Sequence, residues 1–198
     1  MSPSTEYLQK EDEFNDLVIR WNSKINLVSR RKSDVYDLVD DSRIFLDYIK
    51  FSEGVYIMDL GTGGGFPGIV IKLHHPEARL VLVDSIMKKV SVVCDIISSL
   101  ELNGITAICS RAEEMAKNNM FKHTFDYIVA RSVSDLKDLV KWTHGLLKKD
   151  GKLITIKGRD IDDELKMLNK FKFINNIEIF KRDDKKVVVI SLNHELAD

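Results

Sequence analysis

The sequence predicts an α/β protein: a mostly parallel seven-stranded sheet with an antiparallel C-terminal hairpin and a two-helix N-terminal cap. Three observations carry this. From residue 54 onward, short β-branched runs alternate with segments of helical period, the pattern of a parallel sheet covered by helices. The first of these runs passes directly into a glycine-rich turn. Near the C-terminus two strand-like runs, Phe171 to Phe180 and Lys185 to Leu192, follow one another with no helix between them, which breaks the alternation and requires a hairpin.

Residues 5–25 have helical period, with Phe14, Leu17, Val18, Trp21 and Ile25 on one face, and Trp21 is read as a packing residue. No acid occurs between Asp16 and Asp34, whereas Arg20, Lys24, Arg30, Arg31 and Lys32 are all basic. A solvated face usually mixes signs, so a run of one sign points to an anionic partner. Ser33 is placed to cap a second helix, Asp34 to Ile49, whose apolar positions include Val35, Leu38, Val39, Phe45 and Leu46.

The stretch Val55-Tyr56-Ile57-Met58-Asp59-Leu60 reads as a buried strand, followed by Gly61-Thr62-Gly63-Gly64-Gly65-Phe66-Pro67-Gly68 and the apolar helix of Ile69 to Leu73. Pro67 suits a helix start, and a strand–turn–helix of this kind brings backbone N–H groups to a ligand. A phosphate loop requires Lys and Ser/Thr where Ile69 and Val70 stand. A dinucleotide fingerprint places the turn too far from the strand end, or else puts Phe66 where the third glycine belongs. The better description is Asp59-x-Gly61-x-Gly63-x-Gly65, which resembles motif I of the class I S-adenosylmethionine (SAM)-dependent methyltransferases, a Rossmann-like fold.

Arg79 to Asp84 forms the second strand, and Asp84 stands at its end, where a carboxylate can accept hydrogen bonds from ribose hydroxyls. The next helix is expected to bury Val90, Val93, Cys94, Ile97 and Leu100. After the Asn103-Gly104 turn, Ile105 to Cys109 is a third strand that runs into Arg111-Ala112-Glu113-Glu114. A backbone N–H and a small side chain there suit an adenine ring, while the two acids equally suit the first turn of a short helix. Phe125 to Ala130 is the fourth strand. Arg131, just past its carboxyl end, faces the expected site, paired with a cofactor carboxylate, a phosphate or a structural acid. Ser134 is placed to cap the next helix, Asp150-Gly151 to turn into a fifth strand over Lys152 to Ile156, and Asp160 to Lys170 to be helical.

Composition sets bounds. With 198 residues, 44% hydrophobic and 31% charged, the chain has the makings of one soluble domain with a single core. A formal charge of −1 means that nucleic-acid binding has to come from a local patch. The histidines lack metal-ligand spacing and no metal is expected; Cys94 and Cys109 are expected to be buried reduced thiols. No apolar run reaches membrane length and no signal core opens the chain, so a cytoplasmic protein without membrane contact is expected.

Together the motifs resemble one family, the bacterial 16S (small-subunit) ribosomal RNA guanine-N7 methyltransferases (RsmG, or GidB). The matching stretches are Trp21-Asn22-x-Lys24-Ile25-Asn26-Leu27, Asp59 to Gly68, Val83-Asp84-Ser85, Arg111-Ala112-Glu113-Glu114, Ala130-Arg131-Ser132-Val133 and Lys157-Gly158. The resemblance implies that Gly61, Phe66, Ala112, Glu113 and Arg131 contact SAM, together with the motif residues Gly63, Gly65 and Asp84. It also implies that residues 1–52 form a cap over the SAM-binding domain of residues 53–198, within one unit, and face RNA through Arg20, Lys24, Asn26, Arg30, Arg31 and Lys32. The family often continues Asn-Leu-Thr where this chain has Asn26-Leu27-Val28, and Lys166, Lys170, Lys172, Lys185 and Lys186 are candidates to replace a basic tail that some members carry.

The implied reaction moves the SAM methyl to guanine N7 in 16S ribosomal RNA or the small subunit, by a protein expected to be monomeric. Guanine N7 carries a free lone pair, so positioning and exclusion of water suffice. No catalytic acid–base pair is therefore assigned, and Arg131 and Lys157 are candidates for positioning. Two alternatives remain: a SAM-dependent methyltransferase acting on another RNA, a protein or a small molecule, and a non-catalytic SAM-sensing RNA-binding module.

Overall fold

The computed structural model describes residues 5–28, 35–158 and 160–192. The chain opens with α1 (Thr5–Asn22), which buries Phe14 and Val18. It ends earlier than its apolar period suggests. The Ser23 hydroxyl closes on the Arg20 carbonyl at 2.7 Å, and the Asn22 side chain accepts from the Val28 N–H at 3.0 Å, turning the chain back. Helix α2 (Tyr36–Ile44) tightens into a 3-10 turn, Phe45–Asp47. The expected cap Ser33 lies outside the described residues; the first contact is the Val35 N–H, held by the Asn15 side chain of α1 at 3.0 Å.

The sheet comprises β1 (Tyr56–Leu60), β2 (Arg79–Asp84), β3 (Ile105–Cys109), β4 (Phe125–Arg131), β5 (Leu147–Lys157), β6 (Ile174–Arg182) and β7 (Lys185–Leu192). The strand order is β3-β2-β1-β4-β5-β7-β6, with β7 antiparallel to both of its neighbours and the other pairs parallel. The chain reverses its direction of strand addition at β1, which lies between β2 and β4. The crevice at the carboxyl ends of β1, β2 and β4 is therefore the place for a ligand.

Helices cover both faces. One core holds Ile57, Leu80, Leu82 and Val129 against α3 (Gly68–His74), α4 (Met87–Ser99) and the cap residues Phe14, Val18, Leu38, Val39 and Phe45. The other holds Met58, Val81, Ile128 and Leu153 against α5 (Ala112–Lys117), α6 (Leu136–Thr143) and α7 (Asp162–Leu168). The cap helices thus share a core with the sheet. A buried ionic cluster ties them further: Glu11 of α1 accepts from His74 of α3 at 2.8 Å and from Arg43 of α2.

Several local expectations are corrected. Cys94 is exposed, because α4 turns Val92, Val93 and Ile96 inward instead, and Cys109 is half-buried. Asp135, not Ser134, caps α6 by accepting from the Asp138 N–H at 2.8 Å. Asp150-Gly151 lies within β5: Leu147 pairs with Phe125 and Lys152 with Tyr127, so residues 148–151 bulge outward. Glycine is needed there, since a Cβ on Gly151 would stand 2.9 Å from the Phe125 carbonyl oxygen. The helix expected over 160–170 is limited to α7, and β6 begins three residues later than expected because Phe171 and Phe173 pack into the core ahead of it.

Candidate functional site

The site grows from the end of β1. Asp59 is fully buried; its Oδ2 accepts from the Thr62 hydroxyl at 2.6 Å and the Gly68 N–H at 2.9 Å, which folds the glycine turn back onto the strand. Its Oδ1 has no partner among the described residues. Burial outweighs the two hydrogen bonds and pushes its pKa up to about 6. Gly61, at φ +76°, donates to the Val83 carbonyl at 2.8 Å, and a Cβ there would lie 2.5 Å from Val133 Cγ2. Only glycine allows this turn to pass beneath the segment that follows β4.

Asp84, at the end of β2, is held from two sides. The Gly63 N–H donates to Oδ2 at 3.0 Å and the Ile86 N–H to Oδ1 at 2.9 Å. A carboxylate has about four acceptor sites, so each oxygen keeps capacity for a further donor. Asp84, Gly61, Ala112, Glu113, Val133 and Trp142 line a cleft of about 180 Å³.

A second cleft, about 260 Å³, opens at the ends of β4 and β5 and is lined by Asp41, Arg131, Ser132, Lys157, Gly158 and Lys185 among others. The two share the segment after β4: Val133 faces the first cleft, while Arg131 and Ser132 face the second. Ser132 has φ +56°, a conformation that L-residues seldom adopt. The Arg131 guanidinium lies 5.9 Å over the Phe66 ring and its Nη1 is 4.0 Å from Asp41 Oδ2, while its Nε is buried with no hydrogen-bond partner among the described residues. Burial pulls Arg131 below its ordinary pKa, against the attraction of Asp41 and Asp59.

The structure therefore brings Gly61, Asp84, Ala112 and Glu113 to one cleft and Arg131 and Lys157 to the next. Gly63 contributes through Asp84. Gly65 and Phe66 line neither cleft directly: a Cβ on Gly65 would meet Ile69 at 2.5 Å, and the buried Phe66 ring lies between Phe14 and the Arg131 guanidinium. Lys157 is already engaged, donating to the Ser134 carbonyl at 2.6 Å and to Glu164 at 2.8 Å. Arg20, Lys24 and Asn26 are exposed, with the Lys24 ammonium 4.8 Å over the Trp21 ring; Arg30, Arg31 and Lys32 lie outside the described residues. Sequence reasoning missed Asp41, Val133 and Trp142. Trp142 had one signal, an aromatic residue placed off the apolar stripe of its helix.

Residues 7–187 match the family described as rRNA small subunit methyltransferase G. The chain belongs to this family. It is 34% identical over 190 residues to the ribosomal RNA small subunit methyltransferase G of Clostridium novyi, covering 90% of this chain and 77% of that one. Identity to the protein so described in Flavobacterium psychrophilum is 38% over 187 residues, 89% of this chain and 87% of the relative. Among solved structures the fold is similar to a SAM-dependent O-methyltransferase from Thermotoga maritima, with TM-score 0.64 and 14% identity over 78% of this chain and 65% of that one. It is also similar to a SAM-dependent methyltransferase from Aquifex aeolicus, with TM-score 0.60 and 17% identity over 77% and 89%. The matched range takes in most of α1 and all of α2 as well as β1 to β6 of the sheet.

Proposed function

We propose that this protein transfers the methyl group of SAM to N7 of a guanine in 16S ribosomal RNA, acting as a cytoplasmic monomer on the small subunit or its RNA. The observation that carries this is the pair of clefts meeting at the Arg131–Val133 segment, within a chain that belongs to the small-subunit methyltransferase G family. One cleft suits the methyl donor and the other a base.

The residues present fit SAM. Asp84 has acceptor capacity for ribose hydroxyls, and Ala112, Val133 and Trp142 give the cleft apolar walls for a purine. Arg131 Nε, buried without a hydrogen-bond partner among the described residues where the two clefts meet, suits a carboxylate. When bound, SAM supplies an electrophilic methyl on sulfur. The protein then has three tasks: to fix the base in line within about 3–3.5 Å, to exclude water, and to spare N7 from competing donors. Lys157 uses two of its three donors on Ser134 and Glu164, which holds it at the edge of the second cleft as a positioning residue. On this reading residues 1–52 act as a cap within one unit, with Leu27 and Val28 laid against the glycine turn: the Leu27 carbonyl oxygen would be 3.7 Å from a Cβ on Gly63.

The test is mass spectrometry of small-subunit RNA nucleosides from cells with and without the gene. The proposal expects one 7-methylguanosine to disappear with the gene and return on complementation. Unchanged nucleosides, or loss of a different methylated base, would overturn it.

A further inference from the structure

The second cleft contains a carboxylate that the methyl donor does not need. Asp41 comes from α2 of the cap, far from the strand ends in sequence, yet it reaches the carboxyl ends of β4 and β5. It has a cation on either side. Its Oδ1 accepts from Lys185 at the start of β7, while Oδ2 faces Arg131 Nη1 at 4.0 Å, too far for a hydrogen bond. The side chain is 16% exposed, so it opens onto the cleft without being a free surface acid.

We infer that Asp41 selects guanine, accepting hydrogen bonds from N1–H and the exocyclic N2 amine of the target base. This rests on the proposed methylation of guanine N7 and adds to it the residue that recognises the base. Adenine also has an N7 lone pair, so the reactive atom alone cannot separate the two purines. They differ on the opposite edge: guanine presents two adjacent donors at N1 and N2, whereas adenine presents an N1 acceptor and no amine at C2. A carboxylate matches the first pattern and leaves an unpaired lone pair against the second, a mismatch that is costly in a desolvated cleft.

The same contact favours the reaction. Methylation at N7 gives the base a positive charge and makes N1–H more acidic. A hydrogen bond from N1–H to a carboxylate therefore strengthens as the methyl arrives, and the anion offsets the growing charge. Atoms and charge balance without proton transfer: the N7 lone pair forms the new N–C bond, the electrons of the S–C bond return to sulfur, and the sulfonium becomes a neutral thioether. Lys185 pairs with Asp41 Oδ1 and Arg131 lies beside Oδ2, and neither is assigned a contact with N7. The cap, on this account, carries a residue of the base pocket as well as a surface for RNA.

The competing reading is that Asp41 only anchors Lys185 and Arg131. Single-turnover methylation of small-subunit RNA separates the two, using wild type, Asp41→Asn and Lys185→Met, with guanine or inosine at the position where wild type places its methyl. Inosine keeps N7, O6 and N1–H and lacks only the N2 amine. Wild type should be about tenfold slower on inosine, the scale of one hydrogen bond to a charged group. Asp41→Asn should be at least about tenfold slower on guanine, with little further loss on inosine, with SAM affinity near wild type and a thermal midpoint no lower than that of Lys185→Met. Lys185→Met should keep the guanine-over-inosine preference. The inference is overturned if Asp41→Asn retains the wild-type guanine-to-inosine ratio, or if Lys185→Met loses that ratio as fully as Asp41→Asn does. If wild type methylates no guanine at all, the proposed function itself fails, which is a different outcome.

Discussion

At the scale of single residues, the site is built on groups that cost the fold stability. Asp59 is the clearest. Its carboxyl takes up a proton near pH 6 in the folded chain but near its ordinary 3.8 in the unfolded one. Between those values the folded state binds the extra proton, so stability falls as pH rises from about 4 to about 6 and stays lower above that. The span is about 3 kcal/mol at most. Asp59→Asn should lack this segment of the pH profile in urea titrations of the ligand-free protein; an unchanged profile would assign the dependence to another group. Gly61 has a different cost. Gly61→Ala should destabilise by about 1–3 kcal/mol through strain and overlap with Val133. The double variant with Val133→Ala should recover the overlap and leave the strain, and simple additivity of the two changes would refute that contact. Asp84→Ala should weaken SAM by about 1–3 kcal/mol in calorimetry. Because Asp84 also holds Gly63 and Ile86, its thermal midpoint should fall as well, and a variant that binds SAM normally would reduce Asp84 to a turn-holding residue.

Among the elements, strands were the more legible. The bounds of β2, β3 and β7 coincide with the runs read from sequence, because β-branched residues fill a doubly covered sheet and turn residues end them. Helix ends were less so, since they depend on which side chain reaches a free N–H: Asp135 does, and its neighbour Ser134 does not. The glycine turn and Asp84 were readable for the same local reason, their mutual hydrogen bond lying within one βαβ unit. Asp41 was not, because what makes it a cleft residue is a contact with Lys185, distant in sequence. Burial raises the Glu11 pKa, but hydrogen bonds from His74 and Arg43 win and hold it below the ordinary value. A lowered carboxyl pKa stabilises the fold above the ordinary value and is lost as pH falls through the folded one. Glu11→Gln should accordingly cost about 1–3 kcal/mol at neutral pH, read as a lower urea midpoint at constant slope, and should loosen the cap first. Wild-type stability in that variant would mean that apolar packing of Phe14 and Val18 alone seats α1.

For the whole molecule, the arrangement of cap, sheet and hairpin makes one surface at the strand ends, with α2 tied to the hairpin through Asp41–Lys185 and the 3-10 turn after it through Asp47–Arg182. RNA is expected to approach from the cap, where Arg20 and Lys24 are exposed. Replacing Arg30, Arg31 and Lys32 with Gln should weaken RNA binding and flatten its salt dependence, while SAM affinity holds. Identical salt slopes would move the RNA face toward the Lys166–Lys172 side. The central claim is the chemical one, methyl transfer from SAM to guanine N7, and it is tested by incubating purified protein with methyl-labelled SAM and small subunits from cells that lack it. Strand cleavage with borohydride and aniline, which reports 7-methylguanosine, should then fall at one guanine that carries the label. Label incorporated without cleavage, or at a base other than guanine, would contradict the account.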